Sequence, residues 1–136
     1  MTAQWMGIMG EHANSVAPLL VSTEQGYLKS TFCKSLLPAA LQRYYMDKVD
    51  LTSEGRVERR LAEMGLLNLD EFDKYPPTKM PLLKNLMQMA SLSLCKAYQK
   101  NHRSLPRIAS FIGTSNRKEL LTDPTGSRRF ICVMVK

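Results

Sequence analysis

The chain is poor in the features that mark secreted and membrane-spanning proteins. It has 136 residues and 3 cysteines, which are odd in number and widely spaced, so they fit neither a disulfide framework nor a paired C-x-x-C metal site. No apolar run approaches the length of a membrane span, and the N-terminus lacks the pattern of a signal peptide. The sequence therefore predicts a cytosolic (cytoplasmic) protein with no membrane partner, whose cysteines are small buried apolar residues.

Histidine is also scarce, and we find no internal repeat. His12 and His102 have no second ligand at metal-binding spacing, so we assign them no metal role. Hydrophobic residues make up 44% of the chain, a globular composition, and the length suits a single domain over residues 1–136. The net charge of +7 favours polyanionic partners such as nucleic acid or nucleotides.

Apolar runs of strand length alternate with helical patterns along the chain. We expect strands within residues 16–22, 43–51, 65–73, 91–98, 107–116 and 128–136, and helices within residues 5–13, 30–41, 53–64 and 80–89. Such alternation predicts an α/β fold with a central, mainly parallel sheet. Ligands bind such sheets at the carboxyl ends of the strands.

Polar clusters follow three of the predicted strands. They are the loop "TEQGYLKSTF" at residues 23–32, the adjacent acids Asp70 and Glu71, and the run that ends in Asn116. Because the carboxyl ends of parallel strands meet at one edge of a sheet, we expect the three clusters to form one site.

The first cluster resembles a phosphate-binding loop of the pattern G-x-x-x-x-G-K-[ST]. Lys29 and Ser30 supply the K-[ST] pair. Thr23 and Leu28 occupy the two glycine positions, and a different glycine, Gly26, lies between them. The loop alone is equally compatible with a plain helix N-terminus.

In a nucleotide site, each residue of this loop would have a defined role. Lys29 would reach the β- and γ-phosphates, and Ser30, or Thr31 beside it, would ligate Mg²⁺. A leucine with positive φ is strained by roughly 1 kcal/mol or more. Either the backbone avoids positive φ at Leu28 or nucleotide binding is impaired, and Gly26 with the intact K-S-T run favours the first.

The acids and the asparagine have matching roles in the same chemistry. Asp70 suits Mg²⁺ as a carboxylate ligand, and Glu71 would orient and polarise the attacking water. Asn116 would hydrogen-bond the γ-phosphate or that water. Taken singly, the acids are also typical of an exposed turn, and asparagine is a common strand terminator.

A basic pair, Arg128 and Arg129, precedes the final strand in "TGSRRF". An arginine there could reach the γ-phosphate of a neighbouring subunit as an arginine finger. The alternative is a basic pair on a solvated loop.

Together, "EQGYLKSTF", "NLDEFD", "KNLMQM", "RIASFIGTSN" and "DPTGSRRF" resemble the virulence-associated protein E family over nearly the whole chain. That family is similar to superfamily 3 helicases, AAA+-like ATPases of phages and mobile elements. The resemblance implies a three-layer P-loop NTPase fold with ATP and Mg²⁺ as cofactors. The positions that it implies are Gln25, Gly26, Lys29, Ser30 and Thr31 for nucleotide, Ser30 and Asp70 for metal, and Glu71, Asn116 and Arg129 for catalysis, with Arg128 as the second choice.

The resemblance also implies a hairpin between Asp70 and Asn116 that contacts DNA. The composition of "KAYQKNHRSLPR" at residues 96–107 fits this role. Its basic residues would meet phosphates, and Tyr98 could stack on a base. The basic residues are Lys96, Lys100, Arg103 and Arg107.

The function that these matches imply is a Mg²⁺-ATP-dependent DNA helicase core from a phage or mobile-element replication protein. It would bind single- or double-stranded DNA and act as a ring, expected to be a hexamer, in a longer parent of which this chain is a truncated core. Two alternatives stay open. One is a non-catalytic DNA-binding or assembly module with a degenerate nucleotide site, and the other is an inert fragment of a longer protein.

Overall fold

Helices and parallel strands alternate through most of the chain. The computed structural model describes residues 14–24, 28–95, 102–117 and 127–135, so the helix predicted at residues 5–13 lies outside the described residues. The strands are β1 (Ala17–Val21), β2 (Tyr45–Asp47), β3 (Leu66–Leu69), β4 (Ser91–Cys95), β5 (His102–Pro106), β6 (Ser110–Ser115) and β7 (Phe130–Met134). The α-helices are α1 (Lys29–Ser35), α2 (Glu54–Glu63) and α3 (Met80–Gln88).

Five of the strands form one sheet in the order β2-β3-β6-β1-β7. Every neighbouring pair in it is parallel, so the predicted α/β fold with a mainly parallel sheet is confirmed. Strand β6 lies between β1 and β3 although it follows both in sequence, and Val21 of β1 is paired with Ser115 of β6. The ends of β1, β6 and β3 are therefore neighbours at one edge.

Helices cover both faces of this sheet. Helix α2, through Val57 and Leu61, and helix α3 pack into a large core cluster on one face. Helix α1 contributes Cys33 to a smaller cluster on the other face, with Leu20 and Ile112. All four residues of β3 are buried, because this strand is covered on both sides.

Strands β4 and β5 form a separate antiparallel pair. They lie between Asp70 and Asn116 in sequence, so the predicted hairpin is present. Leu92 of β4 is buried in the larger cluster, which anchors the hairpin on the face that α2 covers.

Three predicted boundaries differ from the structure. The helix predicted over residues 30–41 ends at Ser35, and Ala39–Tyr44 continues as a 3₁₀ helix. The strand predicted over residues 43–51 is limited to β2. The helix predicted over residues 53–64 is one residue shorter at each end, Glu54–Glu63, and beyond it the Gly65 N–H bonds to the carbonyl of Tyr44.

The two cysteines whose side chains are described differ in environment. Cys33 is fully buried, and burial raises the pKa of its thiol to about 12. Cys132 is exposed, so the prediction of a buried residue is wrong there. Strand β7 is at the edge of the sheet, and of its residues Phe130 is the buried one.

Arg107 was expected to contact DNA phosphates, and the structure shows that this is wrong. The residue is 2% exposed. Its guanidinium donates hydrogen bonds to the carbonyl oxygens of Met89 (2.6 Å), Ala109 (2.7 Å), Asn14 (2.8 Å) and Met87 (3.0 Å). Burial lowers the pKa of Arg107 to about 10, so the group stays charged at neutral pH. Arg107 therefore ties the end of α3 to the segment that enters β6.

We predict that Arg107→Met destabilises the fold. Methionine keeps an apolar stem but leaves buried carbonyls without donors, at about 1–3 kcal/mol each. Urea unfolding should show a loss of several kcal/mol, whereas the control Arg59→Met, at an exposed position, should change stability by less than about 0.5 kcal/mol. Equal stability of the two variants would contradict a structural role for Arg107.

Candidate functional site

The three polar clusters meet at the carboxyl edge of the sheet, as the sequence predicts. Lys29 begins α1 after the loop that leaves β1, and Asp70 directly follows β3. Ser115 ends β6, between the other two strands. Side chains from the start of α1 and from the residue after β3 therefore converge on the tip of β6.

Lys29 is fixed to that tip by two hydrogen bonds. Its Nζ donates to the Oδ1 of Asn116 at 2.7 Å and to the carbonyl oxygen of Ser115 at 3.1 Å. The same carbonyl accepts the backbone N–H of Ser22 at 3.1 Å. Two of the three ammonium donors thus hold the lysine beside Asn116.

Asp70 is held by hydroxyls from two different elements. Its Oδ1 accepts a hydrogen bond from Ser30 Oγ and another from Thr114 Oγ1, both at 2.7 Å. Thr31, the alternative to Ser30 in the sequence, is exposed. Ser30 is therefore the hydroxyl that the fold brings to the carboxylate.

The donor set of Ser30 and Asp70 fits Mg²⁺. Both groups offer hard oxygen atoms, which Mg²⁺ prefers, and adjacent ligands on an octahedral shell of 2.0–2.1 Å lie about 2.9 Å apart. The two oxygens are 2.7 Å apart, so a small shift would let one cation contact both. Within the described ranges no group of three or more His, Cys, Asp or Glu side chains is placed to hold a metal, so water and a bound anion would have to complete the shell.

Thr114 is a site residue to which sequence analysis assigned no role. Besides donating to Asp70, its Oγ1 accepts the backbone N–H of Glu71 at 3.0 Å. The side chain is almost fully buried. A single hydroxyl on β6 therefore orients both acids that follow β3, and its one sequence signal is a polar residue at the end of an apolar strand.

Glu71 forms an ion pair with Lys74. Its Oε1 lies 2.6 Å from Lys74 Nζ, and both side chains are partly exposed. The hydrogen bond to Glu71 raises the pKa of Lys74. The two residues line an open cavity of about 210 Å³ together with Asp70 and Lys48.

Asp73, also unassigned from the sequence, supports the tip of β6. Its Oδ1 accepts the backbone N–H of Asn116 at 3.3 Å and the hydroxyl of Ser115 at 3.4 Å. It follows Asp70 by three residues, within the run "LDEFD". A third acid thus positions the asparagine, while Asp70 is bound to Ser30.

Backbone strain is concentrated at the same edge. Three described non-glycine residues have positive φ: Leu28 (49°), Lys48 (56°) and Glu71 (51°). Leu28 leads from β1 into α1, Lys48 follows β2, and Glu71 lies just after β3. The expectation that Leu28 avoids positive φ is wrong, because the chain adopts the left-handed turn into α1 without a glycine. Strain of this kind clusters at functional sites.

Arg129 lies at the opposite edge. Phe130, the next residue, is paired with Ala17 at the start of β1, whereas Lys29 follows the end of β1. Four residue steps of strand separate the two edges, about 13 Å. The fold therefore does not bring Arg129 to the other site residues of its own chain, and the same holds for Arg128 beside it.

The remaining predicted site residues are outside the described structure. Gln25 and Gly26 fall between the described ranges 14–24 and 28–95, and Lys96, Tyr98 and Lys100 fall between the ranges 28–95 and 102–117. Arg103 is in β5, but its side chain is not among those described. Their roles stay predictions.

A family model identifies the family of the chain, and solved structures support its fold. The model of the virulence-associated protein E-like domain matches residues 13–136, and the chain belongs to this family. Two solved structures, "The A form apo structure of NrS-1 C terminal region-CTR" and the same region described as residues 305–718, match with TM-scores of 0.64 and 0.62 at 16% identity. They cover 98% and 99% of this chain, which spans 32% of each of theirs.

No curated protein matches the sequence. Among the described residues, no helix has the length and apolar character that crossing a membrane requires.

We predict that Thr114→Val frees the Glu71 amide. Valine keeps the shape of threonine but cannot accept the N–H, and a net hydrogen bond is worth about 0.5–1.5 kcal/mol. Hydrogen exchange of the Glu71 amide should therefore accelerate about two- to tenfold. Thr114→Ser, which retains the hydroxyl, is the matched control and should preserve protection. Unchanged exchange in the valine variant would show that Thr114 does not hold Glu71.

Proposed function

We propose that the carboxyl edge of the sheet is a Mg²⁺-ATP site, and that the chain is the ATPase core of a superfamily 3-like DNA helicase. The observation that carries this proposal is the hydrogen bond from Ser30 to Asp70, two residues 40 positions apart in sequence. It joins the K-[ST] pair of a phosphate-loop pattern to the acid of a strand end, as a shared magnesium site requires.

Nucleotide binding would be centred on Lys29. Its ammonium lies within hydrogen-bonding distance of Asn116, so a γ-phosphate placed between them would be contacted by both. The segment with Gln25 and Gly26, which follows β1 in sequence, would contact the phosphates. Thr31 would contribute next to Lys29 and Ser30 on α1. A bound Mg²⁺ would neutralise charge that builds up on the phosphates.

Hydrolysis would depend on Glu71 as the group that orients and deprotonates water. In the described structure its carboxylate is paired with Lys74. An exposed ion pair of this kind is worth about 0–1 kcal/mol, so a bound nucleotide needs little energy to release it. The Thr114 bond holds the backbone of Glu71 while the side chain changes partner.

Arg129 would act on the nucleotide of the next subunit. Its place at the edge opposite Lys29 favours a role in trans. This proposal requires the ring, expected to be a hexamer, which longer relatives would assemble.

DNA binding would involve the hairpin of β4 and β5. Lys96, Tyr98 and Lys100 lie between these two strands in sequence, and Arg103 is in β5. Membership of the family and the antiparallel pairing of β4 with β5 support this assignment.

A second candidate is a non-catalytic DNA-binding or assembly module. The strained Leu28 favours it, because leucine with φ of 49° occupies the position where the phosphate-loop pattern has glycine. In that case ATP would bind poorly although the fold and the acids are intact.

We predict that Lys29→Ala removes ATP binding. We also predict that Glu71→Gln preserves ATP binding but lowers turnover about 10²–10⁴-fold, because glutamine cannot accept the proton. Calorimetric titration with Mg²⁺-ATP and phosphate release measure the two effects. Lys34→Ala, an exposed lysine on the same helix, is the control and should match the parent. Unchanged affinity in Lys29→Ala would refute the site, and poor ATP binding by the folded, unsubstituted chain would favour the non-catalytic module.

For Arg129 we predict a loss of turnover, about 10³–10⁵-fold in kcat, with ATP affinity unchanged in Arg129→Ala. The measurement belongs in an assembled ring of a longer protein that contains this domain. Mixing this variant with Lys29→Ala subunits should restore part of the activity, because some interfaces then combine an intact Lys29 with an intact Arg129. Normal ATP hydrolysis by an assembled ring made of Arg129→Ala subunits alone would show that the residue is merely part of a basic loop.

A further inference from the structure

A second charged feature lies away from the nucleotide site. Arg56, Arg59 and Arg60 occupy positions i, i+3 and i+4 of α2, which place them on one side of the helix. All three are exposed, and with Glu63 they line an open cavity of about 370 Å³. We call these three arginines the basic face of α2.

The basic face does not stabilise the helix that carries it. Like charges three and four residues apart on a helix repel each other. The Arg60–Glu63 ion pair, at 3.6 Å and with both side chains about half exposed, offsets part of this repulsion. Burial of Val57 and Leu61 on the opposite side anchors α2, so the charges are displayed outward on a rigid support.

The hairpin of β4 and β5 lies beside this helix. Helix α2 contacts β4, and the carbonyl of Leu61 accepts the N–H groups of Ile108 and Ala109, at 3.2 and 3.1 Å, in the segment that leaves β5. The basic face and the hairpin are therefore on the same side of the sheet, opposite α1.

We propose that the basic face of α2 binds the phosphate backbone of a nucleic acid that passes along the hairpin. Arginine suits this ligand because its planar guanidinium donates two parallel hydrogen bonds to one phosphate. Three guanidinium groups within about one helical turn form a compact patch that can contact neighbouring phosphates of such a chain. This assignment deepens the proposed function by naming a nucleic-acid surface, but it does not depend on ATP.

The test compares two double variants of the whole chain. Arg56→Ala/Arg59→Ala removes two charges from the basic face, and Lys34→Ala/Arg43→Ala removes two exposed charges from α1 and the 3₁₀ helix that follows it. Binding to labelled single-stranded DNA, duplex DNA and single-stranded RNA is measured by fluorescence anisotropy, without nucleotide, over a range of salt concentrations. Circular dichroism confirms that each variant is folded.

The expected result is weaker binding by Arg56→Ala/Arg59→Ala and a shallower salt dependence. Each lost phosphate contact lowers the slope of log K against log salt by about 0.7 for a single strand and 0.9 for a duplex, so the two losses amount to about 1.4 or 1.8. The type of nucleic acid for which the affinity and the salt dependence both fall is the ligand of the basic face. The control double variant should keep the parental slope.

Two results would overturn the proposal. One is a parental slope in Arg56→Ala/Arg59→Ala on all three nucleic acids, and the other is an equal loss in both double variants, which would indicate net charge alone. If the double variant does not fold, Arg59→Gln replaces it, with an expected change of about 0.7. The ATP affinity of these variants should equal that of the unsubstituted chain. If the nucleotide site itself has been wrongly assigned, the unsubstituted chain will not bind ATP, and this result is separate from the nucleic-acid measurements.

Discussion

The carboxylate of Asp70 is the point on which the candidate site depends. Its Oδ1 accepts hydrogen bonds from Ser30 on α1 and from Thr114 on β6, so one oxygen atom connects three separate parts of the chain. This convergence requires β6 to lie between β1 and β3, and the sheet order supplies it. The geometry that would bind a cation and a phosphate thus follows from strand order, and strain at Leu28, Lys48 and Glu71 lies at the same edge.

Much of this arrangement could be predicted because it depends on local patterns. Apolar runs of strand length locate β1, β3 and β6, and polar residues directly after them locate the edge where Lys29, Asp70 and Asn116 meet. The parallel direction follows from the helices between the strands. The family resemblance adds roles for individual residues, and the family is confirmed, while the roles remain proposals.

What sequence reasoning missed depends on contacts between distant segments. Arg107 has the positive charge expected of a DNA-binding residue. The tertiary structure shows instead that its guanidinium donates hydrogen bonds to four backbone carbonyls, from the end of α3, the entry to β6 and Asn14. Thr114 gains its role because β6 lies beside β3, which no local pattern reveals. Leu28 was expected to avoid positive φ on energetic grounds, but the turn into α1 imposes that conformation. Fold constraints outweigh single-residue preferences of about 1–2 kcal/mol.

The most direct test of the central claim is a crystal structure of the chain with Mn²⁺ and a non-hydrolysable ATP analogue, with the metal located by its anomalous scattering. The account predicts a metal peak within about 2.3 Å of Ser30 Oγ, beside the carboxylate of Asp70, and the γ-phosphate between Lys29 and Asn116. A nucleotide bound elsewhere on the chain, or a metal peak remote from both Ser30 and Asp70, would contradict it.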